Sequence, residues 1–226
     1  MGTFFQFDTR AGAAYAGENM QATELDGFGK GLAYGVMPGL SPVAPETNSG
    51  KKMTEEHNDA EKDPVEQAGE DLFHYAADRE DIKWLMQYLS PEADINRVTV
   101  EYELQILKFV SVGWSISYFL ENSSNRGRVL ALYWQAVREY ARNLSDTTNM
   151  MTGQEIDYFE VVKQRLDQYV AALSRNSGAP EPGSVIGPEF AGVCGNENDI
   201  VTSMTGSKLF LGILANVRKY LEAMEV

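Results

Sequence analysis

A chain of 226 residues that is 43% hydrophobic is long enough to bury a core, which argues against wholesale disorder. Its formal net charge of -14 opposes non-specific binding to nucleic acid or to an anionic membrane, because both need clustered Lys and Arg against phosphate. The single cysteine, Cys194, leaves no intrachain disulfide and no basis for most structural zinc sites.

The first stretch, residues 1–63, reads as an irregular acidic arm. It carries 5 basic and 10 acidic side chains, and residues 1–50 hold nine of the twenty glycines. No sustained apolar period runs through it, so a surface wrap or a solvated tail is the plain expectation. A sharper one is an arm exchanged between subunits and anchored by Phe4, Phe5, Phe7 and Tyr15. Met1-Gly2-Thr3-Phe4-Phe5-Gln6 lacks the basic flank and apolar run of a signal peptide, and Gln6 breaks the myristoylation pattern. Gly27-Phe28-Gly29-Lys30-Gly31 lacks Walker A spacing and is read as a turn. A cytoplasmic location is expected.

At Asp63-Pro64-Val65-Glu66 the grammar changes. Asp63 is placed to cap a helix, Pro64 to occupy its first position and Glu66 to close a capping box. Residues 64–226 are therefore read as an all-α domain, a bundle of about five to six helices. Val65, Ala68, Leu72, Ala76, Ile82, Met86 and Leu89 share one face, with a break expected near Asp78-Arg79-Glu80-Asp81. Ser90-Pro91-Glu92 starts a turn or a short helix.

From Thr99 the pattern is double. Val110, Val112, Trp114, Ile116 and Tyr118 alternate with small residues as in a strand, while Leu104, Leu107, Val110, Trp114 and Tyr118 keep helical spacing. Over residues 109–120 a central helix is preferred, because no second strand is available to pair. The apolar run Leu104 to Leu120 is interrupted by Lys108 and is too short and polar to span a bilayer. A third helix is expected over 125–144, with Val129, Tyr133, Ala136, Val137, Tyr140 and Leu144 inward. A fourth opens on Thr152-Gly153-Gln154-Glu155 as a capping box and runs to Arg175. Residues 176–206, rich in Gly and Pro, are expected as a long loop packed through Val185, Ile186, Phe190 and Val193. The last helix spans 207–224, facing inward through Phe210, Ile213, Leu214, Val217, Leu221 and Met224.

The chemistry-bearing residues are sparse. Asp71, His74, Asp78 and Asp81 would fall within roughly an 80° arc on one continuous helix, but a di-iron site needs two histidine-bearing helices. The other histidine, His57, lies in the acidic linker. Asp78 and Asp81 with Asp157 and Glu160 could hold magnesium between two helices for a small hydrolase; acids at a helix start are equally explained by the macrodipole. Cys194, in Gly192-Val193-Cys194-Gly195-Asn196, departs from a nucleophile elbow at Asn196, so a buried inert thiol is expected.

Arg126, Arg128, Arg138 and Arg142 mark the third helix, where Glu139 is the only acid between Glu121 and Asp146. They suit either acids on neighbouring helices or an acidic partner. The favoured function is a non-enzymatic interaction or assembly protein, adaptor-like or chaperone-like, that binds a protein partner or a second copy. No cofactor, nucleic acid or membrane is expected for it, and magnesium enters only with the hydrolase alternative.

Overall fold

The computed structural model describes residues 63–89 and 95–225. The expectations for the arm, with Phe4, Phe5, Phe7, Tyr15, the Gly27–Gly31 turn and His57, lie outside these residues, as does Ser90-Pro91-Glu92. Among the described residues the chain is all helical: α1 Pro64–Ala77, α2 Glu80–Met86, α3 Arg97–Phe119, α4 Arg126–Thr152, α5 Tyr158–Arg175, α6 Pro182–Val193 and α7 Ile200–Met224.

Helix α1 starts where its sequence says. Asp63 Oδ1 accepts from the Val65 N–H at 3.0 Å, and Pro64 needs no donor there. The break to α2 also falls as expected, with Asp78 Oδ1 accepting from the Glu80 N–H at 2.7 Å. Asn96 then caps α3 through the Thr99 N–H.

Helix α3 is the axis of the fold. It packs against α1, α2, α4, α5, α6 and α7, so the residues that alternate as in a strand are buried on several sides. Ser111 and Ser115 are buried because each hydroxyl donates to the carbonyl one turn back, on Leu107 and Ser111. Gly113 admits the ring of Trp134 from α4, where any Cβ would collide. Small residues here are a packing device, and they mimic strand alternation only because they occupy every second position.

Three expectations are corrected. Helix α4 runs eight residues past 144, to a left-handed Gly153 cap at φ 70°. Its last buried residue is Ala141 and Leu144 is exposed, so those added turns have no apolar period to betray them. The Thr152–Glu155 capping box is therefore absent; Asp157 caps α5 through the Glu160 N–H at 3.0 Å.

Residues 176–206 are not a long irregular loop. Pro182 opens α6, which buries Val185, Ile186 and Phe190, and Asp199 caps α7 seven residues earlier than expected. Gly183, Gly187 and Gly206, among the glycines that suggested a loop, serve close helix packing. A Cβ on Gly187 would stand 2.6 Å from the Ser203 carbonyl oxygen, and one on Gly206 equally close to the Phe190 ring. Pro188 removes one backbone donor from α6, but Ser184 and Pro188 both lie on its exposed side, where the free carbonyl is open to solvent.

Candidate interaction surface

The central helix carries two buried charges, and each is matched from a different neighbour. Lys108 is 1% exposed. Its Nζ donates to the Asp78 carbonyl and to Asp81, both at 2.8 Å, and lies 4.6 Å from the centre of the Tyr75 ring. Burial pulls its pKa below the ordinary lysine value, and the Asp81 carboxylate opposes that shift. Glu103 is equally secluded; Arg165 from α5 reaches it with Nε at 2.9 Å and Nη2 at 2.8 Å, a two-pronged pair. The same contact raises the Arg165 pKa.

These groups fasten helices and leave little chemistry free. Gln105 Nε2 donates to the Ala76 carbonyl and Tyr133 Oη to the Phe109 carbonyl, so α1 and α4 are pinned to the same axis. Cys194 is buried, and burial together with the Glu103 carboxylate pushes its thiol up to about 12. It is therefore protonated near neutrality and a poor nucleophile, as the sequence suggested.

Desolvation likewise raises the phenols of Tyr75, Tyr133 and Tyr169, and pushes Tyr102 to about 12. Acids whose folded pKa is raised contribute stability that is complete below their unfolded pKa and lost as pH climbs towards the folded one. Resistance to urea should therefore decline as pH rises from about 9, the ordinary thiol value, towards 12. Tyrosinate absorbance from the buried rings should appear only together with loss of helical circular dichroism. Full tyrosine ionisation with the helices intact would refute this burial pattern.

The expected site residues are distributed as follows. Asp78 ends α1 and accepts from the Glu80 N–H, Asp81 serves Lys108, Asp157 caps α5, and Glu160 binds Lys163 at 2.6 Å one turn on. Among the described residues no group of three or more His, Cys, Asp or Glu side chains is gathered as a metal ion requires. The carboxylate arc through His74 also dissolves, because the helix ends at Ala77 and Asp71 is held by Gln67 and Tyr220.

Of the arginines, Arg126 donates to Ser117, Arg128 pairs with Asp63 and Glu66, and Arg138 sits 5.0 Å over the Phe159 ring. Arg142 is exposed, with Asp146 at 4.0 Å. Each of the four thus has a partner within the fold, while Arg128, Arg138 and Arg142 remain exposed.

A different surface stands out. Trp84, Tyr88, Ile200, Val201 and Met204 are all exposed large apolar side chains on α2, just after it, or on the first turns of α7. They make a strip of two groups, Trp84 with Tyr88 and Ile200 with Val201 and Met204, joined where Lys208 meets the Tyr88 ring. The Trp84 and Tyr88 rings touch edge-on at 4.6 Å, and Lys208 Nζ lies 5.9 Å from the Tyr88 ring centre. Ile200, Met204 and Lys208 recur every four residues along α7 with Val201 beside them, so they share its outer face. The strip ends at Leu211, which packs on Gly183 of α6.

Helix α7 is thus apolar on its inner face for the core and on its outer face for this strip. That double character gives it the length and hydropathy of a membrane span, although 44% of that window is buried inside the fold. Sequence reasoning followed only the inner face and missed the strip; the apolar Ile200, Val201 and Met204, falling between loop-like glycines, were the available signal. Comparison with family models, curated proteins and solved structures finds no match to this chain.

Proposed function

We propose that the protein is a non-enzymatic protein-binding module whose contact surface is the strip Trp84–Tyr88–Lys208–Met204–Val201–Ile200. The observation that carries this reading is five exposed large apolar side chains on two neighbouring elements that meet where Lys208 approaches the Tyr88 ring. Apolar side chains scattered singly over a surface are ordinary, whereas a contiguous set favours a partner. Aromatic and methionine side chains are also the types that dominate contact energies, because they bury much area at small entropic cost. A partner segment for this face presents apolar or aromatic groups, with an acid opposite Lys208.

The test is oxidation of methionine side chains by peroxide in a native extract. Met204 is 52% exposed and Met150, at the far end of α4, is 88% exposed. A bound partner should slow sulfoxide formation at Met204 while Met150 oxidises freely. Equal rates at the two, after allowing for their exposure, would remove the reading.

A further inference from the structure

We infer that the strip's occupant is this chain's own segment Thr3–Asp8, tethered as an intramolecular competitor of other partners; this rests on the strip being a protein-binding face. The chemistry matches on both sides. Phe4, Phe5 and Phe7 supply three aromatic rings in four residues, and Asp8 follows them directly. The strip offers Trp84, Tyr88, Val201 and Met204 to the rings and Lys208, the cation set among them, to the carboxylate.

The path length matches too. The segment is joined to the fold at Asp63, which Arg128 holds at 2.6 Å against the start of α4. Helices α1 and α7 run antiparallel, since Tyr220 donates to Asp71 and Asn216 to Tyr75. Eight residues of α1 back from Asp71 to Asp63, and sixteen of α7 down from Tyr220 to Met204, separate tether and strip by about 36 Å along the axis at 1.5 Å per residue. Fifty-five residues lie between Phe7 and Asp63, and at about 3.3 Å per residue that is more than enough chain to cross the gap within one molecule. A ligand joined to its site by a tether that covers the gap binds as an intramolecular partner, so a weak apolar contact can form without help from a second molecule.

The experiment uses the full chain, purified, and its Phe4→Ser/Phe5→Ser/Phe7→Ser variant, whose changes lie outside the described helical domain. Peroxide oxidation is followed at Met204, with Met150 as internal reference. The expected result is slow oxidation of Met204 in the parent chain, independent of protein concentration, and roughly fivefold faster oxidation in the variant, with Met150 unchanged. Protection that grows with protein concentration would overturn the inference in favour of exchange between copies. Protection equal in both chains would overturn it in favour of another occupant, with the strip's role intact. Met204 freely oxidised in both purified chains would also overturn it. In that last case, protection of Met204 in native extract keeps the strip as a binding face, and its absence there removes both readings.

Discussion

Arg165→Met should lower the unfolding free energy by about 3 kcal/mol, the near end of the range for stranding one member of a buried ion pair. The expected damage comes from what stays behind. Glu103 sits 4% exposed on the central helix, and Arg165 supplies both of the hydrogen bonds given to its carboxylate. Without them a carboxylate is left in a site that water hardly reaches. The partial exposure of Arg165, 24% of its side chain, keeps the estimate at the lower end. Adding Glu103→Leu to Arg165→Met should recover most of the loss, because two apolar groups in place of a buried pair are often tolerated well. Urea denaturation of the single and double variants measures this directly. A single variant as stable as the parent would mean that Glu103 finds water or another donor.

Asp81→Ala is the second large effect, and it carries a pH signature. Lys108 keeps the Asp78 carbonyl and the Tyr75 ring but loses its one carboxylate hydrogen-bond partner among the described residues. The ammonium is then buried with less compensation, and a loss of about 2–3 kcal/mol near neutral pH is expected.

The sign follows from the direction of the Lys108 shift. Its folded pKa lies below the ordinary value of 10.5, so between the two the unfolded chain binds more protons. Stability gained from this group therefore rises with pH across that window. Removing Asp81 deletes a contribution that raises the Lys108 pKa, so the window extends downwards and the variant's deficit should shrink as the solution is made more alkaline. Lys108→Met should cost less than Asp81→Ala, because Asp81 is 32% exposed and can hydrate once its partner is gone. Denaturation midpoints of both variants at neutral and mildly alkaline pH decide the matter. The reverse order, or a deficit that grows with pH, would show that Lys108 is not held as a buried cation.

Chain composition and local pattern determined a good deal by themselves. The all-α class, the start of α1 at its Asp-Pro signal, the break at Asp78 and the inward face of α7 follow from capping and helical periodicity, which act within one or two turns. The preference for helix over strand in α3 also needed no partner.

Tertiary structure alone decided the rest. Gly183, Gly187 and Gly206 resemble loop punctuation until a second helix is laid against them; then a Cβ at any of the three would collide. The last turns of α4 bury nothing after Ala141, so no periodicity records them. Glu103 and Lys108 look like flaws in an apolar run until Arg165 and Asp81 arrive from helices 62 and 27 residues away. The strip exists only because α2 and α7 pack together, bringing Tyr88 next to Lys208. Contacts between residues distant in sequence leave no periodic trace in either segment, and the buried ion pairs and the Tyr88–Lys208 contact are of this kind.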